Sequence, residues 1–155
     1  MASEHIYKQF DSDVEAIRAK VLQMGALVEE QTANAVKSLL NTDIKLAEEV
    51  MKRDDQINDL EVAIDEEASL LIAKRSPAAG DLRNIMMMLK IITDLERMGD
   101  EAAKIARSTT RIFEDNRMSK PRFTEIKGMA KAVQGMIKTA LNSFARLDLS
   151  DTIDI

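Results

Sequence analysis

Apolar residues recur at three- and four-residue spacing over four long stretches of the chain. From about Phe10 to Leu40, residues Val14, Ile17, Val21, Met24, Val28, Ala35, Val36 and Leu39 share one side of a helix. Asn41-Thr42-Asp43 interrupts the pattern with a turn and an N-cap side chain. A second helix then continues to about Lys74 through Val50, Ile57, Leu60, Ile64, Ala68, Leu71 and Ile72. The stretch from Arg75 to Asp81, with Pro77 and Gly80, breaks it, and either Asp81 or the turn at Pro77 starts a third helix running to about Phe113. A polar linker over Asn116 to Pro121 precedes a fourth helix from about Arg122 to Leu147. Helices of roughly 30 residues are rods of about 45 Å. Short connections between the first three make them antiparallel neighbours. The expected fold is all-α, a three-helix antiparallel bundle with a fourth helix appended. Sliding the fourth helix back so that Met129 falls on Met24 also aligns Val133 with Val28, Ala140 with Ala35 and Ser143 with Ser38. The fourth helix therefore reads as the opening of a second copy of the bundle.

Composition supports this reading. Ten Met, four Phe, one Tyr and no Trp, beside abundant Leu, Ile and Ala, suit helix-on-helix packing better than a sheet sandwich. Five Gly and two Pro give little punctuation for many short strands. A net charge of −5 with acids and bases interspersed describes a solvated surface and argues against a nucleic-acid footprint. Without cysteine there is no disulfide, thiolate metal site or Cys nucleophile. The polar N-terminus lacks a signal peptide's apolar stretch, and the longest apolar run, Ile85 to Leu89, is too short to cross a bilayer. A soluble cytoplasmic protein, without direct membrane insertion, is expected.

The third helix carries the candidate chemistry. Wound at about 100° per residue, it places Leu82, Ile85, Leu89, Ile92, Ala103 and Arg107 on one side and Met87, Met88, Ile91, Leu95, Met98 and Ile105 on another. Arg83, Lys90, Asp94, Arg97 and Glu101 form the polar stripe. Glu96 falls within the first apolar side and Asp100 beside it, an i, i+4 pair whose side chains can converge within about 5–6 Å. Two like charges there are costly unless a cation or a proton compensates them, or unless Arg97, Lys104 or Arg107 caps them at a bundle edge. On the second helix, Asp54, Asn58, Glu61 and Asp65 make an oxygen-rich stripe beside the core face, whereas Asp55 and Asp59 point towards solvent. If the two helices are antiparallel neighbours, Asp54 and Asn58 share a groove with Glu96 and Asp100. Carboxylate and amide oxygens with no imidazole nearby favour hard divalent cations such as Mg²⁺, Ca²⁺ or Mn²⁺, with iron and zinc as further candidates. No organic cofactor is expected.

Several blocks are then specific. Asp54-Asp55-Gln56-Ile57-Asn58, Glu61-Val62-Ala63-Ile64-Asp65-Glu66-Glu67, Ile72-Ala73-Lys74-Arg75-Ser76-Pro77, Asp81-Leu82-Arg83 and Asp94-Leu95-Glu96-Arg97-Met98-Gly99-Asp100 follow one another in an order and spacing that closely resemble the PhoU family. The resemblance covers about residues 5–150 and is densest over 54–107. It implies two three-helix repeats, each with acidic E/D-x-x-x-D motifs on two helices that hold multinuclear metal clusters. Glu96 and Asp100 match that motif fully, while Asp54 and Asn58 match it with an amide in place of the second acid, which weakens cation binding. Asp55 and Asp59 fit the letters of the motif but are poorly placed. The family continues through a second repeat, and this sequence stops after that repeat's first helix. The expected division is a first repeat over 1–115, then a linker and the first helix of an incomplete repeat over 116–155. The apolar face of that helix, including Val133, Met136, Ile137, Ala140, Leu141 and Phe144, is expected to pack on a neighbouring molecule, making a homodimer.

By the same resemblance the protein is a phosphate-transport accessory and a negative regulator of the phosphate-starvation response. It would act by contact with the phosphate ABC transporter's ATPase and a membrane sensor kinase, and would have no catalytic residues. A carboxylate-bridged metalloenzyme would want Glu-x-x-His pairs, and the one histidine, His5, lies far from both acidic pairs. A metal-free helical scaffold with solvated acids is the remaining alternative.

Overall fold

The computed structural model describes residues 2–114 and 123–147, which form four helices: α1 (Ala2–Asn41), α2 (Ile44–Arg75), α3 (Ala79–Glu114) and α4 (Thr124–Arg146). The polar linker over 116–121, the tail from Ser150 and the side chain of His5 lie outside what is described. The boundaries of α2 have local causes. Thr42 takes φ 60°, and Asp43 then caps α2 by accepting a hydrogen bond from the Leu46 amide at 3.0 Å. Ser76 turns left-handed at φ 45°, and its amide donates to the Ile72 carbonyl at 3.0 Å. Pro77 follows and has no amide with which to continue the helix. Of the two starts expected for α3, the turn at Pro77 is realised, and Asp81 sits in the first turn, where the helix dipole favours an acid.

Buried positions step by threes and fours along all three helices of the bundle. On α1 they include Ile17, Val21, Met24, Val28, Gln31, Ala35 and Ser38, and on α2 Val50, Ile57, Ile64, Ala68 and Leu71. On α3 they include Ile85, Met88, Ile92, Leu95, Ala102, Ala106 and Thr109. This is the 3.5-residue seam of coiled-coil packing. Asp54 and Glu61 occupy two slots of the seam on α2, and Gly99 one on α3. Plotted on a straight wheel, such a seam drifts by about 20° per heptad. That drift makes α3 read in sequence as two apolar sides, whereas the buried face runs between them. Leu82 and Met87, assigned to those sides, are 37% and 40% exposed, and Arg107 is exposed as well.

The packed core has two parts. The larger draws on Phe10 to Val28, Ile57 to Leu71 and Ile85 to Leu95, and the smaller on Ala35, Ala47, Val50, Ala102 and Ala106. Between them the seams of α1, α2 and α3 pass through Gln31, Asp54 and Gly99. Three ion pairs cross from α1 to α2: Asp13–Arg75, Lys20–Glu67 and Glu30–Arg53. As the α1 number rises the α2 number falls, so the two helices are antiparallel. These pairs are part-exposed and each contributes little stability; their value here is in marking the register.

The fourth helix runs antiparallel along α1. Leu141 fills the gap left by the missing side chain of Gly25. The Arg18 guanidinium donates to the Phe144 carbonyl at 3.1 Å and to the Ala145 carbonyl, with its carbon 5.7 Å from the centre of the Phe144 ring. Ile137, Leu141 and Phe144 also line a small apolar cavity with Ile91, Leu95 and Met98 of α3. The apolar face expected to await a neighbouring molecule is therefore divided. Ile137, Leu141 and Phe144 are covered, at least in part, within the chain, while Met129, Val133 and Met136 remain 67%, 43% and 47% exposed. The apolar residues of α4 span more arc than one contact with α1 can cover.

Candidate metal-binding groove

Four half-buried carboxylates share the groove between α2 and α3. Asp54 and Glu61 come from α2, seven residues apart and thus on one face. Glu96 and Asp100 come from α3, on either side of Gly99. The absence of a side chain at Gly99 brings the helices close: a Cβ there would lie 3.6 Å from Asp54 Oδ1. Burial is the first cause holding the Asp54 carboxyl above its ordinary value of 3.8, followed by the charges of Asp100 and Asp55, with Arg107 opposing. Burial likewise raises Glu96 above its ordinary 4.5, followed by Asp100, Glu61 and Asp54, with Arg97 opposing. The helices therefore bring Asp54 within reach of the charges of Glu96 and Asp100. Asn58 is half-buried on α2 between Asp54 and Glu61, while Asp55, Asp59 and Asp65 are exposed.

Two of the three basic side chains placed to cap the acids have other partners, while the charge of Arg107 acts on Asp54 without forming an ion pair. Arg97 pairs with Asp94 at 3.6 Å and Lys104 with Glu101 at 2.8 Å. Among the described residues, none of the four groove carboxylates makes an ion pair. Nor do any three Asp, Glu or His side chains among the described residues converge tightly enough to enclose an ion. The carboxylates feel one another's charge across the groove without forming a closed cage. An all-oxygen, open donor set of this kind fits a hard cation that keeps several waters and touches one or two carboxylates.

Sequence reasoning placed Glu61 only in the oxygen-rich stripe, although its spacing from Asp54 by one heptad was a usable signal. Gln31 and Gly99 were missed. Their signal is a non-apolar residue recurring at a seam position, which is visible only once the seam is drawn at 3.5 rather than 3.6 residues.

An antiparallel three-helix bundle with a fourth helix packed along α1 defines the class of all-helical fold to which these residues belong. The family pattern of the PhoU domain matches residues 21–109. The chain belongs to the PhoU family. It is 44% identical over 147 residues to the phosphate-specific transport system accessory protein PhoU homolog of Pseudomonas aeruginosa, a match covering 94% of this chain and 60% of that protein. It is 37% identical over 153 residues to the phosphate-specific transport system accessory protein PhoU of Escherichia coli, covering 99% and 63%. The crystal structure of PhoU from Pseudomonas aeruginosa superposes with a TM-score of 0.89 at 41% identity, over 94% of this chain and 69% of that one. The phosphate transport system regulatory protein PhoU from Streptococcus pneumoniae superposes with a TM-score of 0.83 at 28% identity, over 94% and 67%. The chain spans about three-fifths of the length of these curated relatives. Among the described residues, no helix is long and apolar enough to cross a membrane.

Proposed function

We propose that the chain acts as an accessory to phosphate transport and a negative regulator of the phosphate-starvation response, in the cytoplasm and by protein contact rather than catalysis. Its partners on this reading are the ATPase of a phosphate ABC transporter and a membrane sensor kinase. The observation that carries the reading is the likeness to a PhoU crystal structure along 94% of the chain at a TM-score of 0.89. The presence of a single histidine and no cysteine is in keeping with a non-catalytic role. In this reading a divalent cation sits among Asp54, Asn58, Glu96 and Asp100. It neutralises acids, Asp54 and Glu96 among them, whose ionised form burial and nearby charge disfavour, and it either braces α2 against α3 or bridges to an acidic group on a partner.

The test is capture of purified ATPase and kinase cytoplasmic domain by immobilised chain, with Mn²⁺ or with chelator, for wild type and Glu96→Gln/Asp100→Asn. Capture that weakens with chelator and in the variant supports the whole reading. Capture indifferent to both removes the metal from it, and no capture of either partner removes the adaptor role. Self-association, expected from the exposed stripe of α4, is read by light scattering; a monomer mass at tens of micromolar rules out the homodimer.

A further inference from the structure

One open side of the contact between α1 and α4 carries charge that the fold itself does not use. There the C-terminal part of α1 and the N-terminal half of α4 flank a cavity of about 340 Å³. Its floor is apolar, with Ala33, Val36 and Leu40 from α1 and Ala130 from α4. Lys37, Lys127 and Lys131 also line it, all three exposed, and Asn41 and Gln134 add side-chain amides. No acid lines it, although the chain holds 27 acids against 22 Lys and Arg. Elsewhere in the bundle basic side chains keep an acid at three-residue spacing, as Arg18 with Glu15, Arg97 with Asp94 and Lys104 with Glu101. The three groove lysines have no acid three or four residues away in sequence, and among the described residues none of them makes an ion pair. Lys127 and Lys131 repel each other at i, i+4 spacing. Lys127 also stands in the first turn of α4, where the helix dipole disfavours a cation. The positions of these two lysines thus work against the helix that carries them.

We propose that this groove docks an acidic amphipathic helix of a partner protein, with its apolar residues on the floor and its carboxylates against Lys37, Lys127 and Lys131. Charge complementarity selects the occupant: three cations without acids of their own flank an apolar trough. A helix laid in a groove needs such a trough for about two turns, and the floor from Ala33 to Leu40 rises about 10 Å. A small anion would use the cations and leave the apolar floor wet. A flat anionic bilayer would meet the lysines without filling the cavity. The assignment depends neither on the acids between α2 and α3 nor on which partner protein supplies the helix.

The experiment uses the full chain and a fluorescent helical peptide with leucines on one face and glutamates flanking them, read by anisotropy. Saturable binding is expected, weakened about tenfold in Lys37→Gln/Lys127→Gln/Lys131→Gln. Binding should be unchanged in Lys52→Gln/Lys90→Gln, which removes two exposed lysines elsewhere. Ala130→Phe fills the floor and is expected to weaken binding with the lysines intact, its fold checked by circular dichroism. Should that variant unfold, a peptide with glutamines in place of its leucines reads the floor on the wild-type chain, and weaker binding of it is expected. No binding of the acidic peptide by wild type overturns the assignment. Equal binding by wild type and the lysine variant does so too, as does equal binding of the leucine and glutamine peptides. Displacement of the peptide by inorganic phosphate beyond that by sodium chloride of equal ionic strength overturns it in favour of a small-anion site. Lysine-dependent sedimentation with phosphatidylserine vesicles, without peptide binding, overturns it in favour of a membrane surface.

Discussion

The position that a Cβ on Gly99 would occupy lies 2.7 Å from Cδ1 and 3.3 Å from Cγ2 of Ile57, a residue with no exposed surface. A side chain at Gly99 would therefore press on Ile57 of α2, at the level of Asp54. Gly99→Ala is expected to cost about 1–3 kcal/mol through overpacking, offset by about 1 kcal/mol of helix propensity. The net result is a melting temperature lowered by a few degrees. A raised melting temperature would show that Ile57 gives way and that the close approach is not required.

The raised carboxyls make a pH prediction for the metal-free protein. Asp54 and Glu96 bind protons more tightly folded than unfolded. The stability they contribute is present in acid and is lost as pH rises from the ordinary values of 3.8 and 4.5 through their folded-state values. Asp54→Asn/Glu96→Gln should therefore be more stable than wild type to urea at neutral pH, with the advantage shrinking towards pH 4. A difference between the two proteins that stays constant over that range counts against the shifts. Saturating Mn²⁺ should also erase the advantage, because the cation then does for wild type what the substitutions do for the variant.

Arg18 holds the C-terminal end of α4 by hydrogen bonds to the carbonyls of Phe144 and Ala145 and by its position over the Phe144 ring. A cation at that end of a helix is favoured by the dipole by about 0.3–1 kcal/mol, and a ring contact adds a similar amount. Arg18→Met should raise hydrogen exchange several-fold at the amides of the last turns of α4. Exchange in α2 and α3, which do not depend on that contact, should stay as in wild type. Uniform acceleration across all helices would show that α4 is not a separable unit.

Asp43 is the capping residue of α2, accepting from the Leu46 amide. Asp43→Ala should lose about 1 kcal/mol of stability in denaturant unfolding and Asp43→Asn considerably less. Equal losses in the two would mean that the carboxylate's charge, rather than its hydrogen bond, is what matters there.

Helix number, most helix ends and most of the core were legible in the chain itself because their causes are local, although α1 begins at Ala2 rather than near Phe10, where its apolar pattern starts. Apolar spacing selects a helix and its inward side, Asp43 caps its own neighbours, and Ser76-Pro77 stops a helix within one turn. The acidic residues were legible as types: Glu96 and Asp100 interrupt an apolar pattern, and Asp54 stands beside one. What they face was not, because the phase of a long helix depends on its supercoil, and the height of one helix against another depends on packing along both. Tertiary structure alone sets Asp54 level with Gly99 and Glu96, leaves Gln31 buried and unpaired, and divides the apolar face of α4 between its own bundle and solvent. Each of these relations joins residues far apart in sequence, and only the mutual packing of α1, α2, α3 and α4 fixes them.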